Sequence, residues 1–196
     1  RNNIAFGSGG AVLVGPDGSV SIRYSVFSGN TAENIGGAIF CEGDATVQNS
    51  VMVLGSAGSD PGIGSGSSGS VAVVNTIIWE NAEDPWNNQN GIVYDYCDIE
   101  GGWTGEGNID LDPQFADQND GDYNLTSGSP CIDAGHPDLD GDGIEWQNDP
   151  DDQDVDGSRM DMGAFAFIGP DTVAPTLEIT GPVDGSTFGT GGSMPI

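Results

Sequence analysis

Two apolar columns recur along the first hundred residues of this chain. Tyr24, Asn49, Asn75 and Tyr96 can be taken as equivalent positions, separated by steps of 25, 26 and 21 residues. Ile22, Val47, Val73 and Tyr94 then stand two places before them, and Phe27, Met52, Ile78 and Ile99 three places after. A second element repeats alongside: Gly9-Gly10-Ala11-Val12-Leu13 is matched 27 residues later by Gly36-Gly37-Ala38-Ile39-Phe40. Short apolar runs at 11–14, 20–22, 38–40, 46–48, 71–74 and 92–94 are separated by Gly, Asn and Asp. No stretch keeps a helical period, so almost no helix is predicted. Copies of this length bury their apolar faces only against their neighbours, which makes a stacked architecture. Three strands per copy predict an all-β fold, a right-handed parallel β-helix (solenoid) whose turns lie about 4.8 Å apart.

In such a stack like stands on like. Asn49 and Asn75 fall at the same turn of successive copies, where stacked amides are expected to hydrogen-bond along the axis. Asn30 and Asn81 form a second column, interrupted by Gly55. The Gly- and Ser-rich stretch 55–69 keeps only Ile63 as an inward residue and is expected to be a loosely held turn or a mobile loop. Residues 84–88 read as a surface loop.

The pattern changes near residue 100. Residues 101–135 carry isolated apolar anchors and are expected to cover the open end of the stack, where strand edges would otherwise be unpaired. The predicted organisation is β-helix rungs over 1–100 and an irregular C-terminal cap with an acidic loop over 101–168. A linker and extended strand segment follows over 169–196. The opening Arg1-Asn2-Asn3-Ile4-Ala5 resembles the middle of a copy, so the chain reads as a piece of a longer protein.

Charge adds a second theme. There are 31 acidic residues against 3 arginines, for a net charge of -28. Such a surface repels nucleic-acid phosphates and anionic lipid headgroups, which argues against nucleic acid as a partner. No apolar run is long enough to cross a bilayer as a helix, so direct membrane insertion is not expected. The acidity suits either salt adaptation or cation binding. Of the three cysteines, Cys41 is expected to be a small buried apolar residue. Cys97 and Cys131 either pair or stay free, and none has metal-binding spacing.

The acids are not spread evenly. In Asp138-Leu139-Asp140-Gly141-Asp142-Gly143-Ile144-Glu145-Trp146-Gln147-Asn148-Asp149, carboxylates stand at the first, third and fifth positions, Gly at the sixth and an acid at the twelfth. That is the spacing of a calcium loop. Ca²⁺ takes about six to eight oxygens, and alternate residues of a curled backbone point inward at it. Asp138, Asp140, Asp142 and Asp149 would supply carboxylates and Ile144 its carbonyl. Asp152, Asp154 and Asp156, followed by Gly157, form a second frame. A bound ion would order the cap by linkage; without one, the loop is a solvated, self-repelling acidic segment.

Catalytic chemistry is less legible, and no catalytic residue is assigned. Arg23 is the only basic residue in the stack beyond Arg1. Asp95 with Asp98 or Asp44 could form a carboxylate pair of the glycosidase kind, but among so many acids such a pair says little. His136 is expected to be structural, and Arg159 to pair with neighbouring aspartates. Trp79 and Trp103 are expected to serve packing, leaving Trp86 as the candidate for stacking on a sugar ring.

Ser28-Gly29-Asn30-Thr31-Ala32 with Gly36-Gly37-Ala38-Ile39-Phe40-Cys41 resembles the repeats of bacterial right-handed parallel β-helix proteins, the polymorphic outer-membrane protein repeats among them. The resemblance continues through 96–103, 107–110, 128–135 and 156–165, and so spans about residues 1–168. It implies a secreted or cell-surface location. The acidic loop is similar to thrombospondin type 3 calcium repeats, with Trp146 where an acid is usual. Residues 172–188 resemble the opening of a bacterial immunoglobulin-like domain, which implies a larger multidomain surface protein. The leading expectation is a non-catalytic extracellular scaffold or adhesin module stabilised by calcium. Its partner would be an extracellular polysaccharide or another surface protein. One alternative is a polysaccharide-active β-helix enzyme or its carbohydrate-binding part. Another is a homo-oligomer or filament subunit, joined by strand addition at open edges.

Overall fold

The computed structural model describes residues 1–66, 69–81 and 91–169. Three parallel sheets run along the stack. The first holds β2 (Val12–Val14), β6 (Ile39–Cys41) and β9 (Ile63–Ser65). The second holds β3 (Ser19–Arg23), β7 (Asp44–Gln48), β10 (Val71–Val74) and β12 (Ile92–Asp95). The third holds β4 (Val26–Ser28), β8 (Val51–Val53), β11 (Ile77–Trp79) and β13 (Asp98–Ile99). β1 (Ile4–Ala5) pairs with β5 (Thr31–Ala32) at the corner that leads back to the first sheet. The chain is thus a parallel β-solenoid, and two short 3-10 turns, Trp146–Asn148 and Pro150–Asp152, are its only helical elements among the described residues.

Register follows the apolar columns. Ile22 lies opposite Val47, Val47 opposite Val73 and Val73 opposite Tyr94, all facing the interior. Phe27, Met52, Ile78 and Ile99 align in the same way in the third sheet. The position just after the second sheet is the corner, and there the repeat has a conformational cause. Tyr24, Asn49, Asn75 and Tyr96 take φ of 48°, 43°, 50° and 51°. The sharp bend between the second and third sheets is therefore a left-handed residue in every turn. Asn accepts that conformation more readily than most residues.

The Nδ2 of Asn49 donates to the Asp161 carbonyl at 3.1 Å, and the Oδ1 of Asn75 accepts from the His136 N–H at 2.7 Å. The expected amide ladder between these two does not form: the returning C-terminal segment takes the Asn49 Nδ2 and the Asn75 Oδ1, and the Asn75 Nδ2 stays buried without a partner. A ladder forms in the other Asn column, where the Nδ2 of Asn3 donates to the Oδ1 of Asn30 at 2.9 Å. At the gap left by Gly55, the Oδ1 of Asn81 accepts from the Gly55 N–H at 2.8 Å.

Through residue 66, the Gly- and Ser-rich stretch is wound into the third turn rather than loosely held. β9 pairs in register with β6, and Asp60, Ile63 and Ser65 are buried. Small residues are required because neighbouring turns approach so closely: a Cβ on Gly64 would stand 2.4 Å from the side chain of Ile35.

After β13 the chain does two things. Trp103 packs on the interior cluster, edge-on to Tyr94 at 6.0 Å between centroids, and closes the last turn. The chain then leaves the end and runs back along the outer face of the third sheet. Here the antiparallel pair β14 (Phe115–Asp117) and β15 (Asp122–Leu125) forms. Tyr123, Leu125, Cys131, Met162 and Ala164 pack against Val51, Val53 and Ile77. Tyr123 reaches the first turn, its hydroxyl 2.7 Å from Ser28 Oγ, and the Arg1 guanidinium lies over its ring. The segment expected to cover an end therefore covers a flank as well. A sheet buried on both faces also explains the unalternated runs Val51-Met52-Val53 and Ile77-Ile78.

All three cysteines are free and buried. Cys97 faces the interior and Cys131 the outer cluster, so the third sheet separates them. The Cys131 thiol donates instead to Asp98 Oδ2 at 3.2 Å. Asp98 ends the outward column Val26–Val51–Ile77 and is fully buried beneath the returning chain, its Oδ1 accepting from the Leu111 N–H at 3.1 Å.

Burial pushes the Asp98 carboxyl up from 3.8 to about 6. Because the folded value is the higher one, the folded state holds the proton more tightly. The cost of this group is absent below about pH 4 and fully present above about pH 6. Asp98→Asn, which keeps the acceptor for Leu111, should therefore raise stability at pH 7.5 by about 2 kcal/mol. Thermal melts from pH 4 to 7.5 check this: the variant's gain should vanish toward pH 4. A gain that did not depend on pH would rule out ionisation as its cause.

Candidate metal centre

The acidic loop hangs from the corner column. The His136 backbone is held by Asn75, and its ring stands edge-on to Tyr96 at 4.6 Å. Its Nδ1 accepts from the Asp138 N–H at 3.1 Å. His136 is thus an anchor, as expected. From there the chain folds through successive side-chain turns. Asp138 Oδ2 accepts from the Gly143 N–H at 3.1 Å, Asp140 Oδ1 from Asp142 at 3.1 Å, and Asp142 Oδ1 from Ile144 at 2.7 Å. Gly143 takes a φ of 84°, which supplies the sharp turn. The Trp146 N–H closes the loop on the Pro137 carbonyl at 3.0 Å.

The two 3-10 turns then reverse the chain. They return Asp152 to the start of the loop, where its Oδ1 accepts from the Leu139 N–H at 2.7 Å. Oxygens of Asp138, Asp140 and Asp152 lie within 4.8 Å of one another, as do those of Asp140, Asp142 and Asp149. Asp140 belongs to both groups. Asp152 is fully buried and Asp149 nearly so. Asp138 Oδ1 and Asp152 Oδ2 are buried without a hydrogen bond. Burial, and then the charges of Asp149, Asp140 and Asp138, hold the Asp152 carboxyl above its ordinary range, against the lowering effect of the Leu139 N–H.

Unsatisfied anionic oxygens out of reach of water are costly. A hard divalent cation would satisfy them, and an all-oxygen donor set suits calcium or magnesium rather than softer metals. The residues present therefore fit the ion that the spacing suggests.

Asp138, Asp140, Asp142 and Asp149 are thus brought together, with Ile144 on the same loop. Asp152 stands with them rather than with Asp154 and Asp156. Asp154 and Asp156 interact with each other, and Ser158 bonds to both. Burial is the largest cause lifting the Asp154 carboxyl to about 7, followed by the hydrogen bond with Asp156. No spacing rule points to Asp152 as a neighbour of Asp138, since the relation depends on the chain reversal at 146–152. Arg159 departs from expectation: its guanidinium donates to the carbonyls of Ala134 and Gly135 and lies over the Tyr96 ring. Backbone carbonyls converge where the loop begins and take this cation ahead of any carboxylate. Trp86 lies outside the described residues.

A family model of the Chlamydia polymorphic membrane protein repeat matches residues 24–42. These run from the left-handed corner at Tyr24 through β4 and β5 to the end of β6, and include the Gly36-Gly37 pair. No curated protein and no solved structure matches the chain. The chain is thus a parallel β-solenoid, one turn of which, residues 24–42, is similar to the repeat of the Chlamydia polymorphic membrane proteins.

Proposed function

We propose that this chain is a non-catalytic stretch of a cell-surface protein, a rigid scaffold or adhesin module whose C-terminal flank is held in place by calcium. The observation that carries the calcium reading is the pair of buried, unbonded oxygens on Asp138 and Asp152 within reach of Asp140. The ion would be held by these three carboxylates, with Asp142 and Asp149 forming an adjoining group around the shared Asp140. Its role there is structural. It neutralises like charges that the fold has forced together and fixes the loop against the corner at Asn75 and His136. The adhesin role draws on the membrane-protein name of the matched repeat and on the exposed polar residues Ser19, Ser21, Asp44 and Thr46 of the second sheet.

Calorimetric titration of calcium into chelator-treated protein tests the reading. Wild type should bind in the micromolar-to-millimolar range, and Asp152→Asn should bind at least roughly tenfold more weakly, since it removes one charged ligand. Absence of any saturable heat in wild type would end it.

A further inference from the structure

The acidic cluster is one wall of a cavity of about 300 Å³. Asp140, Asp151 and Asp152 line that wall, and Arg23, Tyr24 and Gln48 line the opposite one, at the corner between the second and third sheets. Asp140 and Asp152 thus belong both to the candidate cation site and to the cavity. Three carboxylates do not fill the six to eight oxygen positions that calcium takes. An ion held here keeps positions open, and the cavity is where ligands could reach them.

The facing wall is suited to a carboxylate. Two of the three arginines are occupied: Arg1 with the Gly121 carbonyl and the Tyr123 ring, Arg159 with two backbone carbonyls and the Tyr96 ring. Among the described residues the Arg23 side chain makes no hydrogen bond or ion pair, although acids share its cavity. Tyr24 is the second unusual feature. It holds a φ of 48° with 60% of its surface exposed, at a position where the next two turns use Asn. A bulky side chain in that conformation is unfavourable, and here burial does not compensate for it. An exposed ring beside a free guanidinium and the Gln48 amide offers a flat stacking face and polar contacts together.

We propose that this cavity binds a carboxylated sugar ring of an acidic polysaccharide. The carboxylate bridges the bound calcium and the Arg23 guanidinium, the ring lies on Tyr24, and Gln48 meets a hydroxyl. The proposal rests on the reading of the loop as a calcium site. The volume falls at the lower end of small-ligand sites. At a net charge of -28, an acidic ligand is repelled unless a cation stands between, so binding is calcium-dependent. An acidic peptide could satisfy the ion and Arg23 but has no flat apolar face for Tyr24, which favours the sugar.

Calorimetry on the whole chain separates the possibilities. Calcium chloride is titrated first. A galacturonic-acid trimer is then titrated into calcium-loaded and into chelator-treated protein, with a neutral galactose trimer and a glutamate tripeptide as comparators. The acidic trimer should bind only with calcium, and the comparators should bind at least roughly tenfold more weakly. Arg23→Ala should weaken the trimer roughly tenfold, through loss of a charge-assisted bidentate contact. Tyr24→Asn, which places at the corner the residue found in the next two turns, should weaken it roughly fivefold while calcium affinity stays unchanged. Calcium heat without trimer heat would overturn this inference and leave the calcium reading standing. No calcium heat would overturn both. Equal binding of the glutamate peptide would assign the cavity to a protein partner, and trimer binding in chelator would remove the bridging ion.

Discussion

Removing calcium should lower the thermal unfolding midpoint of this chain by roughly 5 to 10 °C. An ion that binds only the folded state at about a hundred times its dissociation constant stabilises it by about 2.7 kcal/mol, and a domain of this length shifts by roughly 2 to 4 °C per kcal/mol. At fixed ionic strength the effect should be larger for calcium than for magnesium, which demands a tighter octahedron and keeps its waters. Asp152→Asn gives the argument a sign that simple weakening would not. The amide still offers an oxygen to the Leu139 N–H, but it removes one charge from a buried cluster in which Asp149, Asp140 and Asp138 hold that carboxyl above its ordinary range. In chelator the variant should therefore melt at or above wild type, and in calcium below it. Coincident wild-type melts in calcium and chelator would leave the acidity as surface solvation.

Gly37→Ala should be still more damaging. A Cβ at this position would stand 2.1 Å from the Pro61 carbonyl oxygen and 2.8 Å from that of Ser56. Both atoms are backbone of the next turn, and neither can rotate away. The turn must move, and with it the pairing of β6 with β9 and the Gly37 N–H bond to the Asp60 carbonyl. Loss of several ladder bonds and of close packing around Ile39 and Ile63 should cost at least about 4 kcal/mol. The variant is expected to be largely unfolded or insoluble. Gly7→Ala is the matched control, because nothing lies within 4 Å of its Cβ position. Circular dichroism and solubility of the two side by side decide the matter, and a folded Gly37→Ala with a near-wild-type melt would refute the close-approach argument.

The same glycine pairs show what was legible in the sequence. Gly9-Gly10 and Gly36-Gly37 stood out as a repeat 27 residues apart, and 27 is also the offset at which β2 pairs with β6. The columns at Ile22 and Phe27 likewise translate directly into register, because each solenoid turn places like positions against like. The path of the chain after Trp103 was not legible. Isolated anchors such as Tyr123, Leu125 and Met162 carry no period, and nothing in their spacing says which surface they cover. The doubly apolar stretch Val51-Met52-Val53 was the available sign that the third sheet has a second buried face. In the acidic loop, the spacing brought Asp138, Asp140, Asp142 and Asp149 to notice. Asp152 needed the two 3-10 turns, which break the alternation on which the spacing rule depends. The partners of the Asn49 and Asn75 amides were not legible for the same reason as the cap: they lie far along the chain.

The flank that returns along the third sheet changes how the stack comes apart. A bare solenoid is a chain of nearest-neighbour contacts and can unzip one turn at a time from either end. Here Met162 and Ala164 sit on the middle turns, Tyr123 is bonded to Ser28 in the first, and Asp98 in the last holds Leu111 and Cys131. A single strap spans all the turns, so loosening one end pulls on the other. Native-state hydrogen exchange should therefore report one cooperative opening rather than a gradient of fraying from the ends.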